Sequence, residues 1–368
     1  MFLKQLKNLI RFLLVSNKKY VIYSESFFYK NFYIDFYLEL KKLNNDIIIV
    51  TSDLKEYNYC LHNDYRTFYI GDSFVRILFF SLVNCENLIM TMPNIGINFA
   101  KSKFCKRYVY FFHSLASTHL IYTNKAFDNY DVILTNGDYQ KKEICINEIN
   151  KKINKKIIYN SGYFYLDYLK EKIFHDKIKK DTILFAPSWN YNQKNLFNDY
   201  AVIIINDLIK SNFKVILRPH PEIAKRNKKN LRNLIDLYSA NDSFILDLKP
   251  SNISSMESSS AIITDNSTIT MEFAIALNRP VFYINYASKI HNKYFEEINT
   301  KPIEDIFKKE IGINIEISNI AQLGKIIKKN LNIDNKSSIS KFEKNLLANI
   351  GCSANKAANF LYNLNENG

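Results

Sequence analysis

One stretch of the chain, residues 259–286, constrains the fold more than any other. A short, mostly apolar run, Ala261–Thr264, leads into a polar turn at Asp265–Thr268, and apolar residues then recur at helical spacing from Ile269 to Leu277. A second apolar run, Val281–Ile284, follows soon after this predicted helix. Two buried strands joined by a helix form a parallel βαβ unit, so the stretch predicts an α/β fold.

The same alternation of strand-like and helix-like segments occurs twice along the 368 residues. It runs from Tyr20 to Tyr163, is interrupted by the polar and charged residues 170–181, and restarts at Thr182. We therefore predict two Rossmann-like domains that face a central cleft. The expected boundaries are residues 1–169 for the first domain and 182–334 for the second. Helices within residues 335–368, one of them over Phe342–Leu364, are expected to pack back on the domains.

The first 15 residues predict an amphipathic helix, for which two interpretations are open. Apolar side chains between Phe2 and Leu14 share one face, whereas Lys4, Lys7 and Arg11 lie on the other. Such a helix suits the surface of an anionic membrane, and it suits packing against the domain equally well. No run of about 18 apolar residues occurs, so no transmembrane helix is predicted.

Charge and motif content narrow the range of partners. The net charge of +14, from 50 basic and 36 acidic residues, favours a nucleotide, a phosphate polymer or an anionic membrane. No nucleic-acid-binding module is recognisable, so no nucleic-acid partner is expected. The five cysteines lack metal-ligand spacing and predict reduced thiols in a cytoplasmic protein. Neither GxGxxG nor GxxxxGK occurs, and we expect no cofactor and no metal.

The polar turn within residues 259–286 is the first candidate site. Ser267 and Thr268 begin the predicted helix at the carboxyl end of a parallel strand, where hydroxyls and free backbone N–H groups form an anion site. Glu272 lies one turn further on, within reach of a ribose hydroxyl. Asp265 precedes the helix and either orients the turn or is purely structural.

The segment Arg218–Pro221, RPHP, ends another predicted strand and is expected at the same sheet edge. Its two prolines stiffen the loop, Arg218 can bind a phosphate through two parallel hydrogen bonds, and His220 can donate a hydrogen bond or a proton. The alternative is a capped strand end with a structural histidine. Ser188 and Trp189 follow a further strand, and Trp189 either stacks on a base or packs at the domain edge.

His113 is the candidate general base of the first half. It follows the apolar run Arg107–Phe112, so its side chain is expected at the carboxyl edge of the first sheet, where it can take a proton from an acceptor hydroxyl. His119 is the weaker candidate because it lies farther from the strand end. Asp128 and Asp131 either pair with His113 or cap a helix.

In this order, the segments YFFHSLASTH, YDVILTNGDYQKKEI, SGYFYLDYL, TILFAPSW, ILRPHPE and IITDNSTITMEFAIALNRPVFYINY resemble the CDP-glycerol glycerophosphotransferase family of teichoic acid and capsule polymer transferases. The resemblance extends from Tyr20 to Tyr286. Three motifs depart from the family pattern: His113-Ser114 stands in place of His-Gly, residues 265–268 (DNST) in place of Asp-Tyr-Ser-Ser, and residues 162–167 (GYFYLD) in place of Gly-x-Pro-Arg-x-Asp.

The resemblance implies a GT-B-type fold and transfer of a polyol phosphate from a CDP-polyol to a hydroxyl of a membrane-linked glycan or glycolipid. CMP is released, and the enzyme works at the cytoplasmic face of the cell membrane. The roles implied are proton removal by His113, protonation of the leaving CMP by His220, diphosphate binding by Arg218, Ser267 and Thr268, nucleotide or ribose binding by Glu272 and Ser188, and support by Asp265. Two alternatives stay open: a GT-B glycosyltransferase that uses a CMP- or UDP-linked sugar, and a catalytically inactive subunit that binds a polymer.

Overall fold

The computed structural model describes residues 1–190, 194–286 and 289–366. The chain divides into two compact units, each built on one sheet. The first unit comprises Met1–Tyr168, Tyr294–Ile298 and Leu346–Gly368, and the second comprises Leu169–Lys293 and Asn299–Asn345. Among the described residues, all neighbouring strands in both sheets run parallel. The predicted α/β fold with two parallel-sheet domains is therefore confirmed.

The elements alternate as a doubly wound fold requires. The strands are β1 (Tyr20–Ser24), β2 (Ile47–Thr51), β3 (Thr67–Tyr69), β4 (Cys85–Met90), β5 (Cys105–Phe111), β6 (Val132–Thr135), β7 (Ile157–Asn160), β8 (Lys179–Phe185), β9 (Lys214–Leu217), β10 (Phe244–Leu246), β11 (Ser259–Thr264), β12 (Val281–Asn285) and β13 (Ile313–Glu316). The helices are α1 (Phe2–Leu13), α2 (Lys30–Leu43), α3 (Leu54–His62), α4 (Phe74–Leu82), α5 (Thr118–Ile121), α6 (Asp138–Lys151), α7 (Phe164–Lys172), α8 (Leu196–Lys210), α9 (Pro221–Arg226), α10 (Lys228–Tyr238), α11 (Ile253–Ser258), α12 (Ile269–Leu277), α13 (Ile303–Glu310), α14 (Leu323–Asn330), α15 (Lys336–Leu346) and α16 (Ser353–Glu366).

The two sheets share one topological plan. The seven strands of the first unit are ordered β3-β2-β1-β4-β5-β6-β7, and the six strands of the second are ordered β10-β9-β8-β11-β12-β13. Their central strands are largely buried because helices cover both faces of such a sheet. All five residues of β1 and of β2, and all six of β11, are buried.

The high aromatic content goes mainly into the core of the first unit. Tyr110 on β5 packs its ring against those of Phe112, Phe127 and Tyr130, with ring centroids 4.9, 4.9 and 5.1 Å apart. Such edge-to-face pairs add to the free energy gained by burying the rings. The abundance of Tyr and Phe therefore reflects packing in this unit more than ligand binding.

Helix α1 packs on its unit and leaves part of its apolar face exposed. Leu9 and Phe12 are buried in the first core, so the helix does pack on its unit. The rest of its apolar face is open: Leu3 is 79% exposed and Ile10 is 50% exposed. Within the described residues, no helix is both long and apolar enough to cross a bilayer.

The predicted single helix over Phe342–Leu364 is wrong. The chain leaves helix α15 at Leu346 and enters α16 only at Ser353. Between them Gly351 adopts a φ of +82°, a left-handed conformation that interrupts a helix and favours glycine. The carboxylate of Asp167 accepts hydrogen bonds from the backbone N–H groups of Gly351 at 2.6 Å and Ser353 at 2.9 Å, which fixes the start of α16.

The connection between the units also differs from the prediction. Residues 170–181 were predicted as a polar linker, but α7 reaches Lys172 and β8 already begins at Lys179. Neither α13 nor β13 was predicted. Strand β13 pairs with β12 through the register Phe282↔Ile313 and forms the edge of the second sheet.

Candidate active site

The strand order of each sheet marks where a ligand is expected to bind. In the first sheet the winding reverses between β1 and β4, and in the second between β8 and β11. Ligands of open α/β sheets bind outside the carboxyl ends of the strands at such reversal points.

His113 lies at the carboxyl edge of the first sheet, two residues beyond β5. Its Nδ1 is 2.6 Å from Oγ1 of Thr91, which follows β4. The half-buried imidazole is also flanked by the rings of Tyr29 and Phe32, with centroids 5.2 and 6.1 Å away. Burial lowers the pKa of His113 to about 4. The ring is therefore neutral at pH 7, and one of its nitrogens can accept a proton.

The backbone around His113 is held by hydrogen bonds from three later segments. The hydroxyl of Tyr163 donates to the carbonyl of His113 at 3.1 Å, and Nδ2 of Asn136 donates to the carbonyl of Ser114 at 2.7 Å. From α6, Nε2 of Gln140 donates to the carbonyl of Ala116 at 3.1 Å. The loop that carries the imidazole is consequently fixed against its sheet, as a positioned base requires.

The other candidates in the first half have structural surroundings. His119 is only 3% exposed, and its Nδ1 lies 3.2 Å from a carboxylate oxygen of Glu143 on α6. Asp128 pairs with Lys151 at 2.8 Å. Asp131 accepts a hydrogen bond from the backbone N–H of Tyr108 at 2.8 Å and pairs with Lys101. In the described structure neither aspartate pairs with His113.

At the second edge, Asp265 and Ser188 are joined across the reversal point. One carboxylate oxygen of Asp265 accepts the backbone N–H of Ser188 at 2.8 Å, and the other accepts its hydroxyl at 2.9 Å. Both residues are buried, at 3% and 1% exposure. Asp265 thus ties the turn after β8 to the turn after β11, and the Ser188 hydroxyl is already engaged as a donor.

The start of α12 is the open polar feature of this edge. Among the described residues, no side-chain hydrogen bond from the N-cap Thr268 caps the helix, and the N–H groups of Thr270 and Met271 donate to the carbonyls of Ser267 and Thr268. Ser267 and Thr268 are half-buried there, and Glu272 is buried in the first turn. The partial positive charge at a helix start and these two hydroxyls together favour an anion.

Arg218 follows β9, and its guanidinium donates hydrogen bonds to neighbouring residues. Its Nη1 donates to a carboxylate oxygen of Asp247 at 2.6 Å, and Nη2 donates to the carbonyls of Lys249 at 2.9 Å and Pro250 at 3.3 Å. Burial alone would raise the pKa of Asp247. Hydrogen bonds from Ser255 and from the backbone, together with the charge of the Arg218 guanidinium, outweigh this effect and lower the pKa. Arg218 therefore holds the loop after β10, and its remaining N–H groups are what it can offer a ligand.

His220 caps the short helix α9. The backbone N–H of Glu222 donates to its Nδ1 at 3.2 Å, so the ring proton is on Nε2. Burial and, next, the ammonium of Lys289 lower the pKa of His220 to about 3. The imidazole is neutral at pH 7 and offers one N–H. This state fits a hydrogen-bond donor better than the acid that the sequence suggested for protonating CMP.

Lys289 was missed by sequence reasoning. Burial lowers its pKa, and the carboxylates of Asp265 and Glu304 oppose that shift. The same ammonium acts on His220, so it lies near both polar turns of the second edge. Lys308 on α13 also senses the carboxylate of Asp265. The only sequence signal for Lys289 is its place four residues beyond the carboxyl end of β12.

Two further predictions concern Trp189 and metal ions. Trp189 is 9% exposed and packs in the core of the second unit with Phe185 and Leu196, so it follows the packing interpretation. Within the described part of the chain, no three carboxylate, imidazole or thiol side chains are close enough to hold a metal ion.

Comparisons with known proteins agree with this architecture. The model of the family described as CDP-Glycerol:Poly(glycerophosphate) glycerophosphotransferase matches residues 117–332, more than half of the chain. No curated protein matches by sequence. A structure of the wall teichoic acid polymerase TagF has 15% identity and a TM-score of 0.62, with 99% of this chain and 97% of that chain covered.

Two other solved structures share the fold. A UDP-GlcNAc 2-epimerase from Methanocaldococcus jannaschii, in complex with UDP-GlcNAc and UDP, has 14% identity and a TM-score of 0.57, covering 94% of this chain and 99% of that chain. A glycosyltransferase from Rickettsia africae has 12% identity and a TM-score of 0.53, covering 96% and 100%. At such identities these likenesses show the fold alone. The match of the family model over residues 117–332 decides the assignment: this chain is an enzyme of the CDP-glycerol:poly(glycerophosphate) glycerophosphotransferase family.

Proposed function

We propose that the protein transfers glycerol phosphate, or a similar polyol phosphate, from a CDP-linked donor to a hydroxyl of a cell-surface glycan or glycolipid and releases CMP. The observation that carries this proposal is the uncapped start of α12 at the winding reversal of the second sheet. A diphosphate fits such a site because the helix start and nearby cations neutralise it.

In this proposal the second unit holds the donor. The hydroxyls of Ser267 and Thr268 bind phosphoryl oxygens, and the partial positive charge at the start of α12 stabilises them there. Nε2–H of His220 and the ammonium of Lys289 take up the negative charge that grows on the diphosphate as CMP leaves. Arg218 adds its remaining N–H groups, and Glu272 accepts a hydrogen bond from the ribose. Asp265 holds Ser188 and thereby shapes the floor of the nucleotide site.

His113 of the first unit supplies the base. With its Nδ1 proton donated to Oγ1 of Thr91, the lone pair of Nε2 is available for the proton of the acceptor hydroxyl. The acceptor oxygen then forms a bond to the β-phosphorus. The bond from that phosphorus to the bridging oxygen breaks, and CMP leaves with the electron pair. Thr91 is a positioning residue that holds the imidazole through Nδ1.

The test is a nucleotide-product assay. Purified protein is incubated with CDP-glycerol, CDP-ribitol, a CMP-sugar or a UDP-sugar and a crude glycolipid acceptor, and released nucleotides are separated by chromatography. CMP from a CDP-polyol, lost in His113→Ala, is the expected result. UDP from the UDP-sugar, or CMP from the CMP-sugar alone, would replace phosphotransfer with glycosyl transfer. Absence of both turnover and nucleotide binding would indicate an inactive binding subunit.

We place the enzyme at the cytoplasmic face of the cell membrane through α1. Leu3 and Ile10, at 79% and 50% exposure, would enter the lipid boundary, while the exposed Lys4, Lys7 and Arg11 contact anionic headgroups. The buried Leu9 and Phe12 keep the helix attached to its unit.

Flotation with vesicles tests this attachment. Wild-type protein should float with vesicles that contain phosphatidylglycerol and should float less at high salt, because salt screens the basic side chains. The double variant Leu3→Glu/Ile10→Glu should stay at the bottom with an unchanged melting temperature. Equal flotation of this variant would refute the role of α1.

A further inference from the structure

The segment between β1 and α2 places three consecutive aromatic residues at the carboxyl edge of the first sheet. Phe27–Tyr29 form a short 3-10 turn. The hydroxyl oxygen of Ser26 accepts the N–H of Phe28 at 3.3 Å, and a carboxylate oxygen of Asp53 accepts the N–H of Phe27 at 3.0 Å. All three aromatic side chains are half-buried. The turn is thus fixed by hydrogen bonds while its rings stay partly open.

These rings continue to the candidate base. Tyr29 meets the imidazole of His113 edge-on, with centroids 5.2 Å apart and planes at 71°. Phe28 lies 5.4 Å from Tyr29 and 5.7 Å from Phe32, which itself lies 6.1 Å from His113. The nitrogen that would accept the proton is therefore bordered on one side by a connected group of aromatic rings, Phe28, Tyr29 and Phe32, called here the aromatic platform.

Among the described residues, the imidazole of His113 forms no ion pair, and burial lowers its pKa. The neighbouring Lys30 directs its ammonium over the ring of Tyr59 at 4.3 Å and that of Phe27 at 5.4 Å. In the second unit, by contrast, the ammonium of Lys289 contributes to the lowered pKa of His220 after burial. The first edge is suited to a neutral ligand with an apolar face.

Resting on the proposed function, we infer that the hydroxyl-bearing end of the acceptor is a sugar ring that stacks on the aromatic platform, and not the end of a polyol phosphate chain. A pyranose presents a face of C–H groups to an aromatic ring and a rim of hydroxyls to a base. A polyol phosphate chain carries one negative charge per repeat and has no such face. Phe28 and Tyr29 are then the residues that determine acceptor specificity.

The experiment measures acceptor binding without turnover. Two probes carry the same octyl chain: an uncharged hexose disaccharide and a glycerol phosphate trimer. Binding is followed by saturation-transfer NMR and titration, with CDP present at saturating concentration. We expect the disaccharide to bind more tightly than the trimer, with saturation transferred to one face of its ring.

Variants of Phe28 and Tyr29 distinguish rings that bind the sugar from rings that only pack in the core. Phe28→Ala and Tyr29→Ala should each weaken disaccharide binding about 3- to 10-fold, the usual effect of losing one stacked ring. Phe28→Tyr and Tyr29→Phe, which keep the rings, should restore it. The matched control is Tyr59→Ala, which removes an aromatic ring beside Lys30 and should leave binding unchanged. Melting temperatures identify any variant that fails to fold. If an alanine variant does not fold, the disaccharide affinities of Phe28→Tyr and Tyr29→Phe test the inference instead.

The outcomes of the binding experiment test the acceptor inference independently of the proposed donor reaction. Trimer binding equal to or tighter than disaccharide binding, or unchanged disaccharide affinity in both alanine variants, would overturn the sugar platform even if CMP is released from a CDP-polyol. Ring-dependent disaccharide binding with no CMP release from any CDP-polyol would support the platform and reject the proposed donor.

Discussion

The carboxyl edges of the two sheets hold histidines in opposite chemical settings. His113 in the first unit is flanked by aromatic rings, and burial alone lowers its pKa to about 4. His220 in the second unit caps a helix, and burial together with the ammonium of Lys289 lowers its pKa to about 3. Both imidazoles are neutral at pH 7, yet only the second lies in a cationic environment.

Under the proposed function, this difference allows one architecture to serve two substrates. An anionic donor needs cations, a helix start and N–H donors, which the second edge supplies through Lys289, His220 and α12. A neutral acceptor needs a base whose lone pair is free and an apolar surface, which the first edge supplies through His113 and its aromatic neighbours. The same fold provides both because strand order fixes where the loops meet and leaves their chemistry to sequence.

The largest expected effect contrasts the two histidines directly. His113→Ala should lower kcat by about 10²- to 10⁴-fold, the usual contribution of a general base, and leave donor affinity unchanged. His220→Asn keeps a cap for α9 but loses Nε2–H, and it should weaken donor binding by roughly 10-fold through loss of a hydrogen bond to a charged group. Steady-state kinetics with both substrates varied measures this. Identical changes in kcat and KM for both variants would contradict the proposal that His113 acts as the base and His220 binds the donor.

The next effect concerns the connection that shapes the second edge. Asp265→Asn replaces one of the two acceptor oxygens with an amide N–H₂ that faces one of the two donors of Ser188, so it should lower the free energy of unfolding by about 1–3 kcal/mol and weaken nucleotide binding. Ser188→Ala is the matched control, because it removes only the hydroxyl and leaves the backbone bond intact. Urea titrations followed by circular dichroism should rank Asp265→Asn as the more damaging. The reverse rank would show that the carboxylate does not hold the turn.

A third prediction tests the cation that distinguishes the edges. Lys289→Met should raise the pKa of His220 towards its ordinary value and leave that of His113 where it is, because the ammonium lowers the pKa of His220 and of His291 but is no cause of the shift of His113. NMR titration of the histidine Hε1 signals measures both values, and donor affinity should fall about 10-fold for loss of one ionic contact. A shift of the His113 pKa as well, or of neither, would contradict the proposed contrast.

The smallest effect is on stability as a function of pH. A histidine with a folded pKa of about 4 binds fewer protons than the unfolded chain, so its contribution to stability is fully present above pH 6.5 and is lost as the pH falls towards 4. His113→Gln should remove this term and reduce the loss of stability between pH 7 and pH 5 by about 1–2 kcal/mol.

The comparison with His113→Gln must be made at matched pH, because Glu56 acts in the opposite direction. Burial raises the pKa of Glu56 to about 7, against hydrogen bonds from Thr51, Ser24 and Tyr33. Its contribution therefore favours the folded state below the ordinary carboxyl range and is lost as the pH rises through 7. Urea midpoints of both proteins at pH 5 and pH 7 give the difference, and parallel pH profiles would show that His113 is not buried in its neutral form.

Local signals predicted much of the fold. The helix expected from Ile269 to Leu277 has those bounds in the structure, because an apolar repeat and a following Asn-Arg-Pro both act within a few residues. Helix α3 was missed, although Asp53 and Glu56 stand three apart in the pattern of a capping box and Asp53 caps the helix. The prediction of one continuous helix to Leu364 is wrong because Gly351, a local signal, interrupts it with a left-handed φ. The start of α16 is fixed by Asp167, which lies far away along the chain and could not be identified from local sequence.

The sequence by itself determined the class of fold, the parallel strands and the places where His113, His220 and the start of α12 emerge, because alternating apolar runs and strand ends are local properties. Only the tertiary structure decided what these groups face. The pairing of Asp265 with Ser188 and of Arg218 with Asp247, the ammonium of Lys289 near His220 and the rings around His113 all join residues distant in sequence. Such partners are chosen by strand order and packing, and these in turn set the proton affinity and charge of each edge.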